Sequence, residues 1–175
     1  APHIRLIGCG TSFHACQIGQ LAIEQLARIP SVAHVASEFR YNDSIINSDA
    51  FHLVLSQSGE TADTISAVKE IQIKGGEVHG LINVVGSTIA RLCGQGVYIH
   101  SGPEQSVAST KAFSNMVAAL LMFAMKLGRT RSFSRERGRK IIKEFRQIPD
   151  KVSKYLANEG PIMEAVELVK DAKCV

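Results

Sequence analysis

With 175 residues, 45% of them hydrophobic, the chain holds one domain with a substantial core and some appendage to it. Four cysteines (Cys9, Cys16, Cys93, Cys174) show neither C-x-x-C spacing nor the density of a disulfide scaffold, so they read as reduced thiols in a cytoplasmic protein. The net charge of +4 is unevenly spread: residues 126–154 carry eleven Lys or Arg against three Asp or Glu, and residues 1–125 carry seven against nine. The basic run has helical spacing and no RNA or DNA motif, which favours a solvated face over a nucleic-acid surface. No signal peptide and no apolar run long enough to span a membrane is found. The segment reads as cut at both ends, since it opens just before one strand pattern and stops as another begins at Lys173-Cys174-Val175.

In chain order, Ile4 to Gly8 is a short apolar run, and helical spacing follows from Phe13 to Ile29, stopping at Pro30. Val32 to Ser37 predicts a second strand, with a polar stretch from Glu38 to Asp49. His52 to Leu55 predicts a third strand, with a helix from Glu60 to Lys74 closed by Gly75-Gly76. Val78 to Ile82 is a fourth strand, Ser87 to Leu92 a short helix, and Val97 to His100 a fifth strand. A long helix is predicted from Val107 to Leu127, uncharged between Lys111 and Lys126 and apolar all round, hence buried on most sides, and ended by Gly128. Further helices are expected over Ser134 to Ile148, Asp150 to Asn158, and Gly160 to Lys170. Five strands alternating with helices call for an α/β fold with a five-stranded parallel sheet covered on both faces, followed by a helical extension.

Chemistry concentrates in three polar loops after the first, third and fifth strands: Cys9 to Ser12, Ser56 to Thr61, and His100 to Lys111. In an open parallel sheet, ligands sit beyond the carboxyl ends of the strands, near the point where strand order reverses. Ser56, Gln57, Ser58 and Thr61 place three hydroxyls and an amide at a strand-to-helix turn, beside the unpaired N–H groups of a helix N-terminus. That pattern suits a monophosphate held without metal or lysine. A nucleoside triphosphate loop would need Lys-Ser or Lys-Thr after spaced glycines, which the chain lacks. Gly8-Cys9-Gly10 invites a dinucleotide reading, but Phe13 stands where the third glycine belongs, and Glu38 comes too late for the ribose. His14, His34, His52 and His79 show no metal-ligand grouping, and neither metal nor cofactor is expected. Glu60 is expected to face outward and favour the N-terminus of its helix. Glu104, His100 and Lys111 are weaker candidates for contact with a ligand.

Four stretches together resemble the first sugar isomerase (SIS) domain of the glucosamine-6-phosphate synthase family. They are Gly8-Cys9-Gly10-Thr11-Ser12, Ala36 to Tyr41, Ser56 to Thr64, and Val107 to Phe113. The resemblance implies a flavodoxin-like three-layer sandwich, with a SIS domain over residues 1–130, a helical linker over 131–172 and the start of a second SIS domain at 173–175. It further implies that fructose 6-phosphate or glucosamine 6-phosphate is bound, with Ser56, Gln57, Ser58 and Thr61 as phosphate ligands. Thr11 and Ser12, with Cys9 and Gly10 beside them, match the sugar side, and Val107 and Ser109 match a loop over the sugar. In that family the partners are a glutaminase domain and a second SIS domain of the same chain, within a homodimer, with no nucleic acid and no membrane. The catalytic groups belong to those other parts, so no catalytic residue is expected in this segment. A SIS-type sugar-phosphate sensor that regulates a partner is the alternative.

Overall fold

The structure, a computed structural model, describes residues 2–105 and 109–173. Five short apolar runs pair in parallel: β1 (Ile4–Gly8), β2 (Ser31–Val35), β3 (Phe51–Ser56), β4 (Val78–Ile82) and β5 (Gly96–Tyr98), in the order β2-β1-β3-β4-β5. The register places Ile4 opposite both Ser31 and Phe51, and Leu53 opposite His79. Parallel neighbours require crossovers, which α1 (Thr11–Ala27), α2 (Ala36–Tyr41), α3 (Ala62–Ile73) and α4 (Thr88–Cys93) supply. Helix α5 (Lys111–Arg129) then returns to pack along α1.

The result is the expected α/β sandwich. On one face Ile7, Val54 and Ile82 meet Phe39 of α2, Val68 and Ile71 of α3, and Ile89 of α4. On the other, Leu6 of β1 and Leu120 of α5 close over Gly19 of α1, where a Cβ would lie 2.6 Å from Leu120 Cδ1. Burial on both sides explains why β1, β3 and β4 read as continuous apolar runs rather than alternating ones.

Several elements depart from the sequence reading. The stretch after β2 is helical from Ala36, because Ala36 and Phe39, three residues apart, both plug the core. Helix α3 starts at Ala62 rather than Glu60, since Gly59 is left-handed (φ +68°) and Thr61 is extended. Helix α5 begins at Lys111, and the earlier part of its predicted start, Val107 and Ala108, lies outside the described residues. Gly128 does not stop it. It sits inside the last turn at the Leu26 carbonyl, where any side chain would collide. Nor is α5 buried on most sides: Ala112, Met116, Leu120, Ala124 and Gly128 form one buried stripe, and Met122 is exposed. At 19 residues α5 is long and apolar enough to cross a membrane by length and composition alone. In the fold that same stripe packs on α1.

Residues 134–175 make a separate compact unit of three amphipathic helices, α6 (Arg135–Phe145), α7 (Ile148–Leu156) and α8 (Gly160–Val169). Helix α6 is capped by Ser134, whose Oγ accepts the Arg137 N–H at 3.1 Å. Cys174 and Val175, where a new strand is expected, lie outside the described residues.

One buried group ties this fold to pH. His52 in β3 is fully buried, its Nδ1–H donates to the Glu77 carbonyl at 3.0 Å, and its Nε2 has no partner among the described residues. Burial holds its pKa below the ordinary 6.5, with Arg5, His3 and His34 adding like-charge repulsion against the smaller upward pull of the Glu77 bond. An unfolded chain therefore takes up this proton at higher pH than the folded one. The stability contribution is complete above pH 6.5 and is lost as pH falls from there toward the depressed folded value. Urea midpoints should accordingly drop between pH 7.5 and 5.5, and a flat profile over that range would contradict the account.

Candidate functional site

The direction of the chain reverses between β1 and β3: β1 leads outward to β2 on one side, and β3 leads to β4 on the other. The loops after these two strands therefore flank the one crevice that the topology opens at the carboxyl edge. After β1, Gly10 turns with φ +54°, and the Ser12 N–H bonds back to the Cys9 carbonyl at 3.1 Å, starting α1. Ser12 is buried, Thr11 and Gly10 are exposed, and half-buried Cys9 packs against the core on the α2–α4 side. After β3, Ser56 Oγ accepts the Gly59 N–H at 2.9 Å, and Ser58 Oγ accepts the Glu60 N–H at 3.1 Å. Ser58 thus braces the turn rather than capping α3. Gln57, Ser58 and Thr61 are half-buried at the surface of the turn, whereas Ser56 lies beneath it.

Helices α1 to α5 all start at this edge, and each presents unpaired N–H groups there. Two of the five are occupied from within. Glu60 Oε1 accepts the Thr88 N–H of α4 at 2.7 Å, so Glu60 serves a neighbouring helix and not, as expected from sequence, its own. Glu104 Oε2 accepts the Ala112 N–H of α5 at 3.1 Å, while its other oxygen takes the Thr110 hydroxyl at 3.1 Å. Ser109 Oγ also points to Glu104, at 3.5 Å. The Thr88 N–H lowers the Glu60 pKa and the Ala112 N–H lowers that of Glu104, so both carboxylates are charged and committed. Among the described residues, the N-termini of α1, α2 and α3 have no side-chain cap, and those of α1 and α3 border the crevice. Asp63, in the first turn of α3, does not cap it either.

The cradle turn is fixed by a loop that the sequence reading did not single out. Ser87, the N-cap of α4, fits against Gly59 so closely that a Cβ there would strike its hydroxyl, and the Ile89 N–H donates to the Gly59 carbonyl at 2.9 Å. The Asn83 N–H donates to the Ser56 carbonyl at 3.2 Å. Only a polar residue directly after a buried strand, Asn83 following Ile82, hinted at this role. The predicted ligand Val107 lies outside the described residues. His100 takes a left-handed φ of +50° just past β5. Among the described residues, no three His, Cys, Asp or Glu are grouped so as to hold a metal. Two cavities lie away from this edge. One is a mostly apolar groove of about 460 Å3 between α5 and β3–β5, bordered by Phe51, His79, Val97 and Phe123; the other is a recess of about 130 Å3 beside Gly80 and Gly96.

The fold is that of a SIS domain: residues 1–126 match the SIS domain family model, and the chain belongs to that family. Within it, 99% of the chain is 47% identical over 173 residues to the glutamine–fructose-6-phosphate aminotransferase (isomerizing) of Chlorobaculum tepidum. It is 44% identical over 92% of its length to the protein of the same name from Caldanaerobacter subterraneus. The chain spans 28% and 27% of the lengths of these relatives. Among solved structures, the C-terminal domain of glucosamine-fructose-6-phosphate aminotransferase from Francisella tularensis matches with a TM-score of 0.88 at 30% identity, covering 98% of this chain and 49% of that one.

Gly59 offers a direct test of the turn. Gly59→Ala imposes a left-handed φ on a residue with a Cβ and drives that Cβ into Ser87, so unfolding free energy should fall by about 1 to 3 kcal/mol in urea titrations. Parental stability in that variant would mean that the turn is not built as described.

Proposed function

We propose that this chain is the first SIS domain, with the helical segment that follows it, of a glutamine–fructose-6-phosphate aminotransferase, and that its strand-switch turn holds the phosphate of fructose 6-phosphate or glucosamine 6-phosphate. The observation that carries the reading is the pair of uncapped helix N-termini, α1 and α3, on either side of the crevice, with the hydroxyls of Ser58 and Thr61 beside the second. A helix N-terminus concentrates partial positive charge and donor N–H groups, and a phosphate dianion needs both. Hydroxyls add donors without fixing a charge, and each can also accept from a sugar hydroxyl. Ser56, Gln57, Ser58 and Thr61 are then the phosphate ligands. Thr11 and Ser12, with Cys9 and Gly10 beside them, face the sugar, and Ser109 belongs to the loop on its other side; Val107, which the resemblance adds to that loop, lies outside the described residues.

Neither carboxylate beside the turn is poised for proton transfer. Glu60 and Glu104 are held in the ionised state by helix N–H groups, and general acid–base work asks for a pKa near the operating pH. Amination and isomerisation are therefore assigned to a glutaminase domain and a second SIS domain of the same protein, a cytoplasmic homodimer, with residues 134–175 leading toward that second domain.

Hydrogen bonds to a charged group are worth about 1.5 to 3 kcal/mol, so losing one weakens binding roughly tenfold to a hundredfold. Ser58→Ala and Thr61→Ala should each lower fructose 6-phosphate affinity by that much in titration calorimetry, with the far-UV spectrum unchanged. Two variants that bind like the parent would displace the cradle. Incubated with fructose 6-phosphate and an ammonia source, the 175-residue chain alone should form no glucosamine 6-phosphate, and steady formation of that product would refute the assignment of chemistry to other domains.

A further inference from the structure

Asn83 directly follows β4, the strand between the cradle strand β3 and the edge strand β5, and is 7% exposed. Its backbone N–H and both ends of its side-chain amide bond to other segments. Its backbone N–H donates to the Ser56 carbonyl in the cradle at 3.2 Å. Its side-chain Oδ1 accepts the Ser101 N–H at 2.7 Å, and its Nδ2 donates to the Gly102 carbonyl at 2.8 Å. Residues 101 and 102 are the root of the loop that carries Glu104 and Ser109. That root is a poor conformation to hold unaided, because His100 and Gly102 both have positive φ, of +50° and +72°. A non-glycine residue in the left-handed region costs free energy that surrounding contacts must offset. Asn83 supplies two such contacts from one side, and the exposed Asn115 of α5 supplies a third, donating to Ser101 Oγ at 2.7 Å.

We infer that Asn83 is a positioning residue for sugar-phosphate binding: it fixes the 101–104 segment at a set distance from the phosphate turn, so that the ligand's sugar meets a preformed 101–104 segment. The inference rests on the sugar-phosphate reading of the site. The side-chain amide is matched to the task, since one edge must accept an N–H and the other donate to a carbonyl, which neither Asp nor Leu of similar size can do. Because the side-chain bonds go to the loop while only the backbone N–H goes to the cradle, a side-chain substitution separates the two. The phosphate turn keeps its bond to residue 83, and the loop loses both anchors.

Inorganic phosphate and glucose 6-phosphate are the two probes, titrated calorimetrically into the parent chain, Asn83→Ala and Asn115→Ala. Asn83→Ala should keep phosphate affinity within about twofold of the parent while glucose 6-phosphate affinity falls roughly tenfold, the loss expected when ordering of the loop must be supplied at binding. Equal losses for both ligands would make Asn83 a merely structural residue and overturn the inference, as would parental affinity for both. Should Asn83→Ala fail to fold, Asn115→Ala, altered only on an exposed helix face, decides. A smaller loss of about threefold, confined to the sugar phosphate, supports the anchoring of Ser101, and unchanged binding overturns it. A parent chain that binds neither probe would instead overturn the proposed function, which distinguishes the two failures.

Discussion

The arrangement depends on what is done with the N–H groups at the start of each helix. A parallel sheet delivers every crossover helix N-terminus to the same edge, so donors and partial positive charge accumulate there by topology alone. Two of the five helix starts are taken internally, α4 by Glu60 and α5 by Glu104, and among the described residues those of α1, α2 and α3 are left without a side-chain cap. Of these, α1 and α3 bracket the crevice between β1 and β3. The chain's own carboxylates thus fill two helix ends at this edge and leave the two beside the crevice open.

Magnitudes set a bound on what such a site can do alone. A helix terminus contributes about 0.3 to 1 kcal/mol at an exposed position and up to about 2 when partly buried, and each charged hydrogen bond about 1.5 to 3. Binding must also offset several kcal/mol of lost translational and rotational freedom. A handful of these contacts therefore reaches roughly millimolar to micromolar affinity, about −4 to −8 kcal/mol, and no further. Tighter capture needs surfaces outside this chain, in keeping with a segment that spans about a quarter of its relatives.

Much of this was legible in the sequence, and the limits of legibility have physical causes. Buried parallel strands announce themselves as short apolar runs, so the positions of β1, β3 and β4 followed from the pattern, as the end of α3 followed from Gly75-Gly76. The polar turn at Ser56–Thr61 was visible because hydroxyls after an apolar strand have few structural reasons to cluster. Helix α2 was hidden, since two core residues in a six-residue helix give no periodicity to read. Gly128 looked like a stop because the sequence does not show Leu26 lying against it. The partners of Asn83 and Ser87 were hidden for the same reason: they lie on other strands and loops, and spacing along the chain carries no trace of them.

The absence of a cation in the proposed ligand set follows from where the nearby cations are engaged. Lys111 stands at the start of α5 and its charge lowers the pKa of Glu104, while Arg91 does the same for Glu60. Arg91 is further tied down through the Gly86 carbonyl and, at 3.1 Å, the Thr88 hydroxyl. Each carboxylate that caps a helix thus has a basic residue close by. The oriented peptide dipoles of α1 and α3 add a field that cannot be neutralised by a proton or moved by a rotamer change. An anion bound there meets a field set by the fold itself, which is why a turn of neutral hydroxyls can serve where a lysine would otherwise be expected.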